Sequence, residues 1–452
     1  MLAYPELAAI RLGYGLSPLS PPLAGPAALV ESVHDAAPDA DAFSMARDHL
    51  PLRSRFSELS ARNPQANEAQ IKAMRDKAHS LGVRAAQIRV GRAVGDAGGF
   101  GERLVQFWAD HFTVTSDGPF NMVASAAFVD EAIRPHLMGR FADLMFAAET
   151  HPRMIMYLDQ ITSAGPNSPA GRRRPGKVGV NENLAREMIE LHSLGAGSGY
   201  AQRDVRQLAL LLTGLTFRPN HDAVGIFAPN RAEPGPFTVL GKTYQRGRDL
   251  GATRAVIGDL AAHEATARHI ARKLAVHFVS DTPPDALVQR LARAFQGSGG
   301  DLPTLYLVLA EAPELRDCFR QKVRQPFDYV VAALRGCGFG HQDVMALEQP
   351  DFQRLLMNGM FVMGQQWGLP RGPDGWPEDA GAWTTAQGLA GRIDWAMRML
   401  PKLRPDLPDP RAFLQAALGD SASEALRWAV PKAESPTEGM AVILASPDFN
   451  RR

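Results

Sequence analysis

One stretch limits this chain more than any other: Asn181-Glu182-Asn183-Leu184-Ala185-Arg186-Glu187-Met188-Ile189-Glu190-Leu191-His192-Ser193-Leu194-Gly195. Leu184, Met188 and Leu191 recur at the spacing of a buried helical stripe, Asn181 is placed to cap the start, and Gly195 suits the residue just past the end. A capped amphipathic helix must lay its stripe against other elements, so the surrounding chain is expected to pack helices. Glu182, Arg186 and Glu190 form an i,i+4 column that a surface salt-bridge ladder explains. Asn183, Glu187 and Glu190 line the flank beside the stripe. His192 falls on the other flank, roughly 140° from Glu187 at about 100° per residue.

The same periodicity recurs elsewhere. Between Glu102 and Phe112, the residues Leu104, Phe107, Trp108 and His111 return at spacings of three and four, which puts His111 on the inward face. Helical patterns are also expected over 67–94, 128–136, 141–148 and 154–159, and again from Ala265, from Leu287 and from Gly388. Residues 163–179 are rich in glycine and proline and read as a loop carrying Arg172-Arg173-Arg174, three arginines expected on a solvated surface. Residues 218–251 are poor in helical signal. Gly225-Ile226-Phe227 and Phe237-Thr238-Val239-Leu240 read there as short strands of one hairpin or flap. A third irregular region spans 369–382. The expected fold is therefore mainly α: a multi-helix globular protein with a small β-hairpin insertion and long Gly/Pro-rich loops. Its organisation reads as a helical lobe over 1–218 with both informative helices, the hairpin at 219–251, and a second helical lobe over 252–452, the lobes forming one compact unit.

Composition narrows the function. Of 452 residues, 45% are hydrophobic and 21% charged, which is the balance of a chain that collapses around a core. With 49 Lys+Arg against 48 Asp+Glu, the chain lacks the basic excess of a dedicated nucleic-acid binder. Cys318 and Cys337 make neither a disulfide framework nor a C-x-x-C motif. The strongest apolar run, Leu208–Leu215, falls far short of the about 20 residues that span a bilayer. The opening Met1-Leu2-Ala3-Tyr4-Pro5-Glu6 carries no secretory signal pattern, which points to the cytoplasm.

The chemistry is carried by the two helices. Glu187, Glu190 and His192 cannot all reach one ion from a single regular helix, so a divalent metal would need a ligand from elsewhere. His111 and Glu187 are expected to converge, with His192 as a further metal ligand, because each occupies or borders a core face. A half-buried carboxylate beside an imidazole supports proton transfer or holds a divalent cation. Four of the six tryptophans, Trp367, Trp376, Trp383 and Trp395, fall in one C-terminal region. With Trp108 they are candidates for a substrate-stacking surface, or else for apolar anchors pinning a long loop. Other motifs fail. Gly195-Ala196-Gly197-Ser198-Gly199 follows a helix where a dinucleotide fingerprint must follow a strand. His263-Glu264 followed by His269 puts the histidines on different faces, and no G-x-S-x-G elbow occurs.

At these helices the sequence resembles a large bacterial family known as domain of unknown function 1800. The resemblance rests on Arg11-Leu12-Gly13-Tyr14-Gly15, Phe107-Trp108-Ala109-Asp110-His111-Phe112, His151-Pro152-Arg153-Met154, the Asn181–Gly195 block, Leu212-Thr213-Gly214-Leu215-Thr216, Lys273-Leu274, Met363-Gly364-Gln365, Pro373-Asp374-Gly375-Trp376 and Ala445-Ser446-Pro447-Asp448-Phe449. These motifs run in order along nearly the whole chain. The resemblance implies a mainly helical fold, residence in the periplasm or envelope, and a nearby-encoded partner resembling an alkaline phosphatase or sulfatase. The family has no settled activity. One departure stands out: Ala232 precedes Glu233-Pro234-Gly235 where relatives commonly place histidine, so that role is lost here or passes to His221. Two readings follow. In the first, the protein is an enzyme with His111 as acid, base or ligand, Glu187 as its partner, Glu190 and Asn183 in support, and Arg186 or Asp204 orienting charge. In the second, it is a non-catalytic helical binding or assembly protein of the cell envelope, and the same residues lock the fold.

Overall fold

The computed structural model of the chain describes residues 2–177, 179–218 and 225–452. Helix accounts for 63% and strand for 4%, so the mainly helical expectation holds. The longest helix, Glu68–Gly95, is buried along one side from Ala78 onward. It packs against the Pro119–Phe128 helix at a point where a Cβ on Gly82 would sit 2.7 Å from the Cβ of Met122. Only glycine lets the two backbones approach that closely.

Two helices carry the informative motifs. Phe100–His111 buries Leu104, Phe107, Trp108 and His111, the face that periodicity selects. Asn183–Glu190 buries Leu184, Ala185, Met188 and Ile189. Because that helix ends at Glu190, Leu191 is only half-buried, and the stripe is completed by Ile189 instead. The Oδ1 of Asn181 accepts from the backbone N–H of Asn183 at 2.8 Å, so the expected capping residue works one residue before the N-cap Glu182, in the turn that leads into the helix. The loop at 163–179 is less irregular than its glycines and prolines suggest. Ser168 accepts from Gly171 N–H at 3.0 Å and starts a short helix, Pro169–Arg173, which leaves Arg172, Arg173 and Arg174 exposed.

The strand segments lie where the sequence indicates, but they do not pair with each other. Leu215–Thr216 pairs antiparallel with Ile226–Phe227, and Phe237–Val239 pairs antiparallel with Lys242–Tyr244. The second hairpin turns at Leu240 and Gly241, both at positive φ, as a two-residue hairpin loop requires.

Apolar packing forms two main clusters. One runs from Leu7 to Cys318 and holds both motif helices together with Leu208, Ile270 and Leu274. The other gathers Val83 and Val90 of the long helix with Phe327–Leu334, Trp395, Phe413 and Phe449.

Candidate functional site

The ring of His111 is 1% exposed and lies among Phe107, Trp108, Phe112 and Phe141. Its Nε2 lies 3.2 Å from the carbonyl oxygen of His192, so Nε2 carries the proton and donates. Among the described residues Nδ1 has no hydrogen-bond partner, and it keeps its lone pair. Burial, and then the positive charge of Lys273, push this imidazole well below the usual histidine range. Trp108, by contrast, is fully buried and gives its indole N–H to the Tyr306 hydroxyl at 2.7 Å. It anchors the core and offers no surface to a substrate, contrary to expectation.

The end of the Asn183–Glu190 helix organises the imidazoles. The N–H groups of Leu191 and His192 both turn back to the carbonyl of Glu187, at 2.9 Å each. This leaves the carbonyls of Leu191 and His192 free. Leu191 accepts from His269 Nε2 at 3.0 Å, beside the bond from His111 to His192. Gly195 then turns the chain at φ +90°, and a Cβ there would lie 2.9 Å from Nδ1 of His269. Glycine serves both the turn and the close approach of the ring. The side chain of His192 points elsewhere. Its Nδ1 lies 2.7 Å from Oε1 of Glu149, and both groups are buried. The ring of His111 stands 5.9 Å from that of His192 and 6.3 Å from that of His269.

Glu187 is half-buried and, among the described residues, makes no side-chain hydrogen bond to His111. Burial and the nearby carboxylates Glu190 and Glu149 raise its pKa against the pull of His192. The acid within reach of the histidine cluster is Glu149. Arg186 bonds Glu190 at 3.2 Å and Glu182 at 3.5 Å, and Arg206 adds a further contact to Glu182 at 3.2 Å. Glu182, Arg186 and Glu190 thus form the surface ladder. Asn183 is exposed. Asp204 is buried, its oxygens accepting from Ala201 N–H and Leu240 N–H at 2.9 Å each, so it ties a helix start to the hairpin turn. No group of three or more His, Cys, Asp or Glu side chains suited to one metal ion occurs among the described residues. The expected ligand set of His111, Glu187 and His192 is not gathered, because His192 turns its ring toward Glu149.

His111 also lines a cavity of about 220 Å³ with Asp110, His269, Lys273, Asp374, Trp376 and Glu378. Both oxygens of Asp110 face the backbone N–H of Trp376, at 3.0 and 3.2 Å. Gly375, at φ +88°, makes room for them, since a Cβ there would meet Asp110 Oδ2 at 2.6 Å. Burial pushes the Asp110 carboxyl up to about 7. Burial and the charge of Lys273 bring His269 down to about 4. Lys273 is half-buried and, among the described residues, has neither a hydrogen bond nor an ion pair; burial lowers its pKa. Glu378 is engaged by His277 at 2.5 Å and Lys322 at 2.8 Å, which hold it well below the usual carboxylate range despite its burial.

Of the tryptophans expected at the site, Trp376 lines this cavity and packs 5.9 Å from Trp383. Trp367 lies beside Phe327, away from the imidazoles. Trp383 and Trp395 are buried, with their indole N–H groups given to the carbonyls of Pro377 and Leu355. Asp110, Lys273, His269 and Glu149 were not singled out as site residues in the sequence. The spacing of His269 and Lys273 at i,i+4 on the Glu264–Phe278 helix does place them on one face.

The architecture defines a mainly helical protein with a buried imidazole cluster opening onto a cavity bordered by charged side chains. The chain belongs to the family described as protein of unknown function (DUF1800), which it matches over residues 8–451. No curated protein and no solved structure matches it. The methyl of Ala232 packs against Gly214, and Glu233 accepts from Asn167. Neither residue lines the cavity. His221 lies outside the described residues.

Proposed function

We propose that the protein is an enzyme working by general acid–base catalysis on a small polar substrate held in the cavity of Asp110, His111, His269 and Lys273. The observation that carries this reading is His111. One ring nitrogen is committed to a carbonyl, the other is a buried lone pair without a partner among the described residues, and the ring borders a cavity that also receives a carboxyl, a second imidazole and an amine with no ion pair among those residues. Groups whose surroundings push their pKa values in different directions divide acid and base roles between them. Asp110, whose pKa of about 7 leaves it roughly half protonated at neutral pH, is the acid. His111 is the base, and His269 supports it. Lys273 stabilises negative charge that develops on the substrate. Glu187, Glu190, Asn183 and Arg186 hold the helix whose last carbonyls orient the two rings.

No helix among the described residues is long and apolar enough to cross a membrane. Residence in the cell envelope, and a partner resembling an alkaline phosphatase or sulfatase, are part of this proposal on the family resemblance alone.

The test is mass-spectrometric profiling of a small-molecule extract incubated with the wild-type protein, with Asp110→Asn and with His111→Gln. At least one compound should be consumed by the wild type and spared by both folded variants. Three identical profiles would remove the catalytic reading and favour a binding or assembly role.

A further inference from the structure

Asp110 and Trp376 line a second cavity as well, of about 110 Å³, on the other side of the wall they form. Three guanidinium groups border it: Arg89, Arg92 and Arg134. Two of them are neutralised. Arg92 meets Asp39 and lies 3.2 Å from Asp130, while Arg134 lies 2.9 Å from Asp130 and 2.6 Å from Glu102. Arg89 differs. Among the described residues it has no carboxylate within ion-pair distance, and its side-chain hydrogen bond runs to Oε1 of Gln106 at 2.7 Å. The cavity therefore carries a guanidinium held in no direct ion pair among the described residues, with the carboxyls of Asp110 and Asp130 elsewhere on its lining. Ser116 is 7% exposed, borders the same space, and its hydroxyl makes no hydrogen bond among the described residues. A half-buried indole, Trp367, forms another part of the wall.

A cation held in no direct ion pair, a serine hydroxyl on the wall and an aromatic face together describe a ligand with an anionic end and a flat apolar body. We infer that this cavity binds a small organic carboxylate, with Arg89 taking the carboxylate and Trp367 packing against the carbon body. A guanidinium presents two parallel N–H donors to such a group, a geometry that ammonium lacks. A closed cavity of about 150 Å³ admits benzene, so this open space of about 110 Å³ encloses less than one ring and leaves the remainder of the body at its mouth. The inference deepens the proposed acid–base reading, because the shared wall would set the anchored end of a substrate beside the reactive cavity. Binding does not depend on turnover, so the two proposals can fail separately.

The experiment is calorimetric titration of the full chain with benzoate, benzamide and inorganic phosphate. Benzoate is expected to bind, with benzamide weaker by about tenfold or more for loss of the charge-assisted bonds. Arg89→Met should abolish benzoate binding while circular dichroism shows an unchanged fold. Arg89→Lys should weaken it, and Arg172→Met, at an exposed arginine, should leave it as in the wild type. Failure of the wild type to bind benzoate, or equal binding by folded Arg89→Met, would overturn the inference. Phosphate bound as tightly as benzoate would also overturn it, since the site would then select charge alone.

Discussion

Asp110 shows how a single carboxyl can weaken the fold it serves. Its folded pKa of about 7 lies above the ordinary value of 3.8, so the folded state holds its proton over a range where the unfolded chain has released it. The stabilisation is complete below the unfolded pKa and is lost as pH rises through 7. Asparagine keeps an acceptor for the Trp376 N–H and never ionises. Asp110→Asn should therefore stabilise the protein more at pH 8 than at pH 5, by on the order of 2 kcal/mol after allowing for the group's partial solvent contact. Urea unfolding at the two pH values checks this, and a difference of the opposite sign would mean that the carboxylate is the favoured form. The same substitution should abolish turnover, the trade expected where an active site is held at a cost to stability. His269 has the opposite sign. Its pKa is depressed to about 4, so its neutral form supports the fold above the usual histidine value, and that support fades as pH falls toward 4. His111 was legible in the sequence because periodicity alone put it on an inward face. Its neighbours were not, since Glu149, His269 and Lys273 come from other helices and only packing brings them together.

At the scale of elements, the end of the Asn183–Glu190 helix matters more than its exposed side. The Glu182–Arg186–Glu190 ladder is solvated, and such pairs contribute little. Arg186→Ala should cost less than about 1 kcal/mol. Gly195→Ala forces a Cβ into a positive-φ position and into the ring of His269. It should cost about 1–3 kcal/mol and shift the His269 side-chain resonances, while Arg186→Ala leaves them in place. Thermal melts with histidine-selective NMR separate the two, and equal effects would refute the division of labour. The sequence marked both features, because capping glycines and i,i+4 charge columns are local patterns. It did not reveal that the carbonyls exposed before that glycine receive two imidazoles. The hairpins teach the same lesson: strand propensity is local, but partner choice is not, and the two segments expected to pair each joined a different neighbour.

Across the whole molecule, the segments before and after the hairpin region are joined by buried charge. Arg11, Arg103, Arg324, Arg392 and Arg452 are each no more than 1% exposed. Most of their bonds go to carbonyls: Arg11 to Val279 at 2.6 Å, Arg392 to Arg324 at 2.7 Å, Arg452 to His277 at 3.2 Å. Asp328 is the acid among them, 2.5 Å from Arg452 and 3.6 Å from Arg103 of the Phe100–His111 helix. A guanidinium taken from water without its counter-charge is expensive, and removing one partner of a buried pair strands the other. Asp328→Asn should therefore cost about 3–5 kcal/mol, far more than an exposed carboxylate such as Glu58, paired with Arg55 and Arg62 at the surface. Because Asp328 reaches residues from both sides of the hairpin region, the loss should fall on the whole chain. One calorimetric transition is expected in the wild type, displaced intact to lower temperature in Asp328→Asn. Two transitions, only one of them moved, would show that residues 1–218 and 252–452 unfold as separate units and that the buried arginines stabilise one side alone.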